Sequence, residues 1–327
     1  MALPVTPIQH IELPELAVRG NRLYVKRDDL LPVAFGGNKV RIALELMADM
    51  EAGGCDALIM YGDLRSNLCR VLAFLCHQRG VPSLMVATSE NADGGTSFNE
   101  DLVRRLGVPV LVCEKGGIAE AIDEAFARLR ACGHRPYYIY GDRTGRGNEG
   151  TCANAYARAY EELCSQEREL GLGFDVIFVP YGTGCTQGGL VCGSLVRGDG
   201  RKIVGISISS RPRERAEKIL DATVRDWFEK RGLALPSDYA SHLDLCTSYT
   251  CGGYGARDAR VDALIEEALL RCALPLDPTY TGKALRGALD YLRDSDVSNA
   301  SVLFLHTGGT PLFYDYLAST RGSVYSN

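Results

Sequence analysis

The chain has 327 residues, 46% of them apolar and 24% charged, with a net charge of −5. These are globular proportions, which exclude wholesale disorder, and the length is enough for two lobes around a cleft. The acidic balance leaves no basic excess to neutralise phosphates, so nucleic acid is excluded as a main partner and only a local site for a small anion stays open.

In chain order, the opening Met1-Ala-Leu-Pro-Val-Thr-Pro has no basic region leading into an apolar run, so it does not read as a signal peptide. A glycine pair, Gly36-Gly37, ends a loop, and an amphipathic helix is predicted from about Lys39. Strand and helix then alternate: strand 57–60, helix 67–79, strand 83–86, helix 98–106, strand 109–112, helix 118–131, strand 137–139 and a long helix 151–170. The rhythm continues through strand 175–179, helix 186–195, strand 202–208, helix 212–231 and a late strand 301–305 running into His306-Thr-Gly-Gly. Such alternation predicts an α/β fold of open parallel sheets covered by helices on both faces. Weak boundaries near residues 53–54 and 145–150 predict a smaller inserted α/β lobe of residues 51–150. Residues 1–50 and 151–327 would together form the larger lobe.

No apolar run approaches the roughly 18 residues that suggest a membrane span. The expected setting is the cytoplasm, with no membrane partner. The 12 cysteines are scattered without a Cys-x-x-Cys pair, and Cys69 and Cys76 lie seven apart on one face of a predicted helix. They are expected to be small, reduced, mostly buried hydrophobes, and no metal site is expected because close ligand spacing is missing.

Ligand sites of parallel sheets form beyond the carboxyl ends of strands, which points to residues 62–67, 182–187 and 306–309. In Phe35-Gly-Gly-Asn-Lys39, a lysine in the first turn of a helix opposes the helix dipole. That destabilises the ammonium form and suits a lysine used as a neutral amine, as in a Schiff base with a carbonyl cofactor. Taken by itself, Lys39 reads first as a surface lysine after a loop. In Gly182-Thr183-Gly184-Cys185-Thr186, consecutive N–H groups at a helix start make a phosphate site without cationic side chains. It is neither a P-loop, since Leu190 follows Gly188-Gly189, nor a dinucleotide motif, since Gln187 stands where the third glycine belongs. Ser66 or Asn67 would cap a helix. His306 by itself reads as a hydrogen-bonded core histidine, and Tyr254 and Tyr280 as packing residues.

Together, Lys26-Arg-Asp-Asp-Leu30, Gly36-Gly-Asn-Lys39, Ser66-Asn67, Gly182-Thr-Gly-Cys-Thr186, Tyr254, Asp277-Pro-x-Tyr280 and His306-x-Gly-Gly309 form an ordered set. In order and spacing the set resembles the pyridoxal-phosphate (PLP) family of 1-aminocyclopropane-1-carboxylate (ACC) deaminase and D-cysteine desulfhydrase, on the tryptophan-synthase-β-like fold. The resemblance implies a homodimer acting on a small amino acid, with PLP carried on Lys39, which would also shuttle protons at the substrate α-carbon. Asn38 and the 182–186 loop would hold the cofactor, the loop taking its phosphate, and Asn67 would meet its ring oxygen. Ser66 would face the substrate, and Tyr280 and Tyr254 its reacting end. Thr281 and Thr307 would lie near the pyridine ring. At those two positions ACC deaminases typically carry Glu and Leu, and D-cysteine desulfhydrases small hydroxyl residues, so the chain looks closer to the second branch. A neutral hydroxyl makes a shallower electron sink than a carboxylate, which suits α,β-elimination better than cyclopropane opening. The expected products are pyruvate and ammonia.

The chain departs from the family in Arg65-Ser66-Asn67-Leu68, where members usually read Gln-Ser-Asn-His or Gln-Ser-Asn-Gln. An inward Arg65 would select an anionic substrate such as cysteate; an outward one would be a solvated surface residue. Leu68 removes a polar group from the same substrate-binding loop. ACC deamination, PLP-dependent β-replacement and a catalytically silent PLP-binding paralogue are the alternative functions.

Overall fold

Two strands are apolar along nearly their whole length, Val176–Tyr181 and Ser301–His306, and every residue in both is buried. Such strands need cover on both faces and therefore sit in mid-sheet. In the computed structural model, which describes residues 2–14, 18–88 and 97–324, they are neighbours at the centre of a six-stranded sheet. From edge to edge that sheet comprises β1 (Ile8–Ile11), β2 (Arg22–Arg27), β10 (Ser301–His306), β7 (Val176–Tyr181), β8 (Lys202–Ser207) and β9 (Asp244–Cys246). β1 runs antiparallel to β2, and all other pairings are parallel. A second sheet has four parallel strands, β5 (Val110–Cys113), β4 (Ser83–Thr88), β3 (Ala57–Asp63) and β6 (Pro136–Tyr138).

The helices that matter for the site are α1 (Asn38–Ala52), α2 (Asn67–Arg79), α5 (Glu149–Leu170), α6 (Cys185–Arg197) and α9 (Thr281–Asp294). The α/β class and its parallel sheets agree with the alternation in the sequence. Elements outside that rhythm are β1, β2, the three-residue β9, and the helices α8 (Ala259–Cys272), α9 and α10 (Thr310–Val324). α8 and α9 follow one another with no strand between, so no change of period announces them. Where caps are written in the sequence, the structure uses them: Ser66 Oγ accepts from Cys69 N at the start of α2, and Gly80 ends it at φ +66°.

Along β10 the side chains alternate between two cores. Leu303 and Leu305 belong to one that runs through α1, α2, α5 and α6 to the four-stranded sheet; Val302 and Phe304 belong to one under α8 and α9. The first core is shared by both sheets. α6 lies very close to α5: a Cβ on Gly189 would stand 2.2 Å from the Ala153 carbonyl oxygen, so only glycine fits. The Lys26-Arg-Asp-Asp segment is structural. Asp28 is wholly buried and accepts from Thr6 Oγ1 (2.7 Å), from Arg41 Nε and Nη2 (both 3.0 Å) and from the Tyr156 hydroxyl. Burial opposes its charge, but the Arg41 guanidinium outweighs it and holds the carboxyl below its usual range. Among the described residues no helix is long and apolar enough to cross a membrane.

Candidate active site

Two glycines bring the start of α1 against the loop after β10. Gly37 (φ +96°) packs backbone to backbone on Gly308, and a Cβ on Gly37 would be 2.7 Å from the Thr307 carbonyl oxygen. Asn38 N then donates to that oxygen (3.0 Å), while Asn38 Nδ2 donates to Thr186 Oγ1 (2.9 Å). The starts of α1 and α6 are thereby tied together, with Lys39 in the first turn of α1. Burial lowers the Lys39 pKa, with the nearby thiols of Cys185 and Cys152 acting the other way. No hydrogen-bond acceptor meets its amine among the described residues.

The loop after β7 supplies the opposite wall. Gly184 takes φ +86° and α6 begins at Cys185, so the N–H groups of its first turn have no intrahelical acceptors. A Cβ on Gly182 would meet only the Tyr280 ring, at 3.8 Å, which leaves this backbone open to a ligand. Tyr280 is held by a buried turn: Asp277 Oδ1 accepts from Thr279 N (2.9 Å) and Tyr280 N (2.7 Å), and Oδ2 from Thr281 N (3.1 Å). The Tyr280 and Tyr254 hydroxyls lie 2.8 Å apart. Burial pushes the Tyr280 hydroxyl well above the usual tyrosine range, so it stays protonated as a donor, while Tyr254 stands at the exposed rim.

These segments enclose a cavity of about 380 Å3 at the carboxyl ends of β3, β7, β8 and β10. It is lined by Asn38, Lys39, Ser66, Asn67, Leu68, Gly182, Thr183, Gly184, Thr186, Tyr254, Tyr280 and Thr307, all read from the sequence as candidate site residues. Three other candidates lie off the wall. Thr281 is wholly buried beneath it; its Oγ1 donates to Asp277 Oδ2 (2.8 Å) and accepts from Asp277 N (2.8 Å), so its hydroxyl is spent on the turn. Cys185 contributes no lining surface; its thiol lies against Thr183 and Cys152, and the Cys152 hydrogen bond, with Lys39 nearby, lowers its pKa. Arg65 stands half-buried outside the lining, with its N–H on Asp63 Oδ1 (2.6 Å) and its carbonyl accepting from Asn99 Nδ2 (2.7 Å). His306 also faces away: Nε2 meets the Pro275 carbonyl (2.9 Å) and Nδ1 accepts from Gly308 N (3.2 Å). Those two partners fit a proton on Nε2, which makes its 3.6 Å approach to Asp29 a contact rather than an ion pair.

The sequence reading missed Tyr140 and Arg211, which line the cavity. Arg211 follows β8, and one guanidinium nitrogen donates to the Gly182 carbonyl. The strand-end rule applied to β8 would have found it. Tyr140 stands two residues past the short strand β6, where no motif marks it.

The chain matches the pyridoxal-phosphate dependent enzyme family over residues 1–308. It is 32% identical, over 95% of its length and 91% of the other's, to a Pyrococcus abyssi protein provisionally named 1-aminocyclopropane-1-carboxylate deaminase. It is 31% identical to the 1-aminocyclopropane-1-carboxylate deaminase of Methylobacterium nodulans, over 95% and 94% of the two chains. In structure it is similar to a crystallised ACC deaminase homologue, with a TM-score of 0.82, 29% identity, and coverage of 96% and 93%. The half-buried Lys39, the open glycine loop and the paired helix starts thus belong to a chain that is a member of the pyridoxal-phosphate dependent enzymes, in the family of ACC deaminase and D-cysteine desulfhydrase.

Proposed function

We propose that the chain is a lyase for a small amino acid with a leaving group on its β-carbon, D-cysteine or an anionic analogue such as cysteate. One water is consumed; the leaving group departs with a proton, and pyruvate and ammonia are released. The residues present suit PLP: an amine on Lys39 that meets no acceptor among the described residues, and the N–H groups of the first turn of α6, beside the open Gly182 backbone, for a phosphate. When bound, the cofactor supplies a sink for the electron pair left on the α-carbon. Lys39 takes the α-proton. Ser66 and the start of α2 hold the substrate carboxylate, and Asn67 meets the cofactor's ring oxygen. Tyr280, kept protonated and backed by Tyr254, donates toward the departing β-substituent.

The observation that carries this reading is the chemistry of the wall. Among the described residues its only carboxylate is Asp63, which accepts the Arg65 N–H, while Thr307 is neutral. A wall poor in carboxylates suits elimination of a good leaving group better than ring opening. Arg211, rather than Arg65, is the guanidinium on the wall and supports an anionic substituent. The second reading, ACC deaminase, is favoured by the printed names of the relatives. A steady-state panel of D-cysteine, L-cysteine, L-cysteate, β-chloroalanine and ACC separates them. Pyruvate from D-cysteine or cysteate supports elimination, and turnover of ACC alone overturns it. Arg211→Gln should reduce kcat/KM for cysteate by at least about tenfold more than for D-cysteine.

A further inference from the structure

Arg70, in the second turn of α2, is 1% exposed. Its Nη1 donates to Asn67 Oδ1 (2.9 Å) and Asn99 Oδ1 (3.0 Å), and Nη2 reaches the Gly36 carbonyl at 3.4 Å. Its Nε has no partner, and no carboxylate among the described residues forms an ion pair with it. A guanidinium held out of water without a counter-ion is unfavourable. Burial lowers its pKa only to about 10, so it stays charged at neutral pH.

The neighbours of this cation are fixed by what each atom can do. Arginine only donates, so Asn67 and Asn99 must both turn their oxygens toward it. Asn99 Nδ2 then donates to Asn67 Oδ1 (3.0 Å) and to the Arg65 carbonyl (2.7 Å). With Asn67 Oδ1 taken by two donors, its Nδ2 is the polar atom left for the cavity that Asn67 lines. Asn67 is also the first residue of α2, where the helix dipole adds positive potential.

We propose that Arg70 is a positioning residue for the cofactor: a buried, unneutralised cation that aims the Asn67 amide N–H into the cleft and makes that wall receptive to the cofactor's ring oxyanion. Arg70 acts through Asn67 and the local field, without touching the ligand. The proposal rests on the PLP reading and is independent of which amino acid is the substrate.

The test is a pH titration of the visible absorbance band of PLP-loaded protein, beside PLP affinity of the apoprotein, for wild type, Arg70→Gln, Arg70→Lys and Asn99→Asp. Removing the charge should raise the pH midpoint of the band by about one unit and weaken PLP binding about tenfold. Arg70→Lys, which keeps the charge, should recover most of the shift. Asn99→Asp sets a carboxylate beside the guanidinium and should raise the midpoint with Arg70 still in place; it carries the test where Arg70→Gln fails to fold. A folded Arg70→Gln protein with wild-type midpoint and affinity overturns the proposal. So does an equal shift in Gln and Lys variants, which would mean packing rather than charge. Absence of any visible band in wild type would instead sink the cofactor reading itself.

Discussion

Three features act on Lys39 at once: the first turn of α1, the neighbouring Gly37–Gly308 contact, and a half-buried amine that meets no acceptor among the described residues. Its lowered pKa has a definite sign in stability. Between its folded and unfolded values the unfolded chain binds more protons, so burying Lys39 destabilises the apoprotein at neutral pH, and the penalty fades as pH rises toward about 10.4. Lys39→Met apoprotein should therefore show a higher urea midpoint than wild type at pH 7, with the gain shrinking at pH 10. Lys39→Ala should lose the borohydride-fixable cofactor band and at least about a thousandfold in kcat. Tyr280→Phe removes the donor facing the leaving group and should lower kcat by about a hundredfold, with KM changed little. Because burial raises the pKa of Tyr280, it keeps its proton below about pH 10. A kcat profile with a basic limb below that pH that vanishes in Tyr280→Phe would contradict the assigned role.

Helix starts are the recurrent device of this site, and each is placed by a different local rule. α2 starts where Ser66 caps it, α1 where Gly37 turns the chain, α6 where Gly184 does, and α9 over the Asp277 turn. Asp277 anchors the start of α9, taking three N–H groups and the Thr281 hydroxyl. Asp277→Ala should destabilise the fold by about 2 kcal/mol, as loss of a strong cap does. It should also lower kcat by freeing Tyr280. One turn behind the cavity-lining Thr186, α6 reaches its position only because Gly189 admits the α5 backbone. Gly189→Ala should cost about 2–3 kcal/mol, read as a lower thermal midpoint.

At the scale of the molecule, the cavity receives residues from the ends of strands in both sheets, and one apolar core joins those sheets. Cofactor bound there should stabilise the whole chain as a unit. At a hundredfold excess over Kd the gain is about 2.7 kcal/mol. Calorimetry should show one transition displaced upward by a few degrees, and two transitions of which only one moves would mean that the sheets unfold separately. The homodimer implied by the family resemblance is an expectation for light scattering.

The sequence by itself determined the α/β class, because apolar runs of strand length alternating with amphipathic helices bury themselves in few other ways. Glycines and caps at strand ends, which constrain the backbone locally, also marked Ser66–Asn67 and the Gly182 loop, whereas Lys39 was marked only by the family resemblance of the ordered set. Tertiary structure alone decided the rest. The family resemblance implied Thr281 as a cofactor neighbour, and the first turn of α9 points its hydroxyl at Asp277. Arg65 stands outside the wall while Arg211, 146 positions later, lines it. Arg70 lies within the predicted helix 67–79, and only packing leaves it without a carboxylate partner among the described residues. Side-chain direction and burial arise from contacts between residues distant in the chain, and local periodicity carries no record of them.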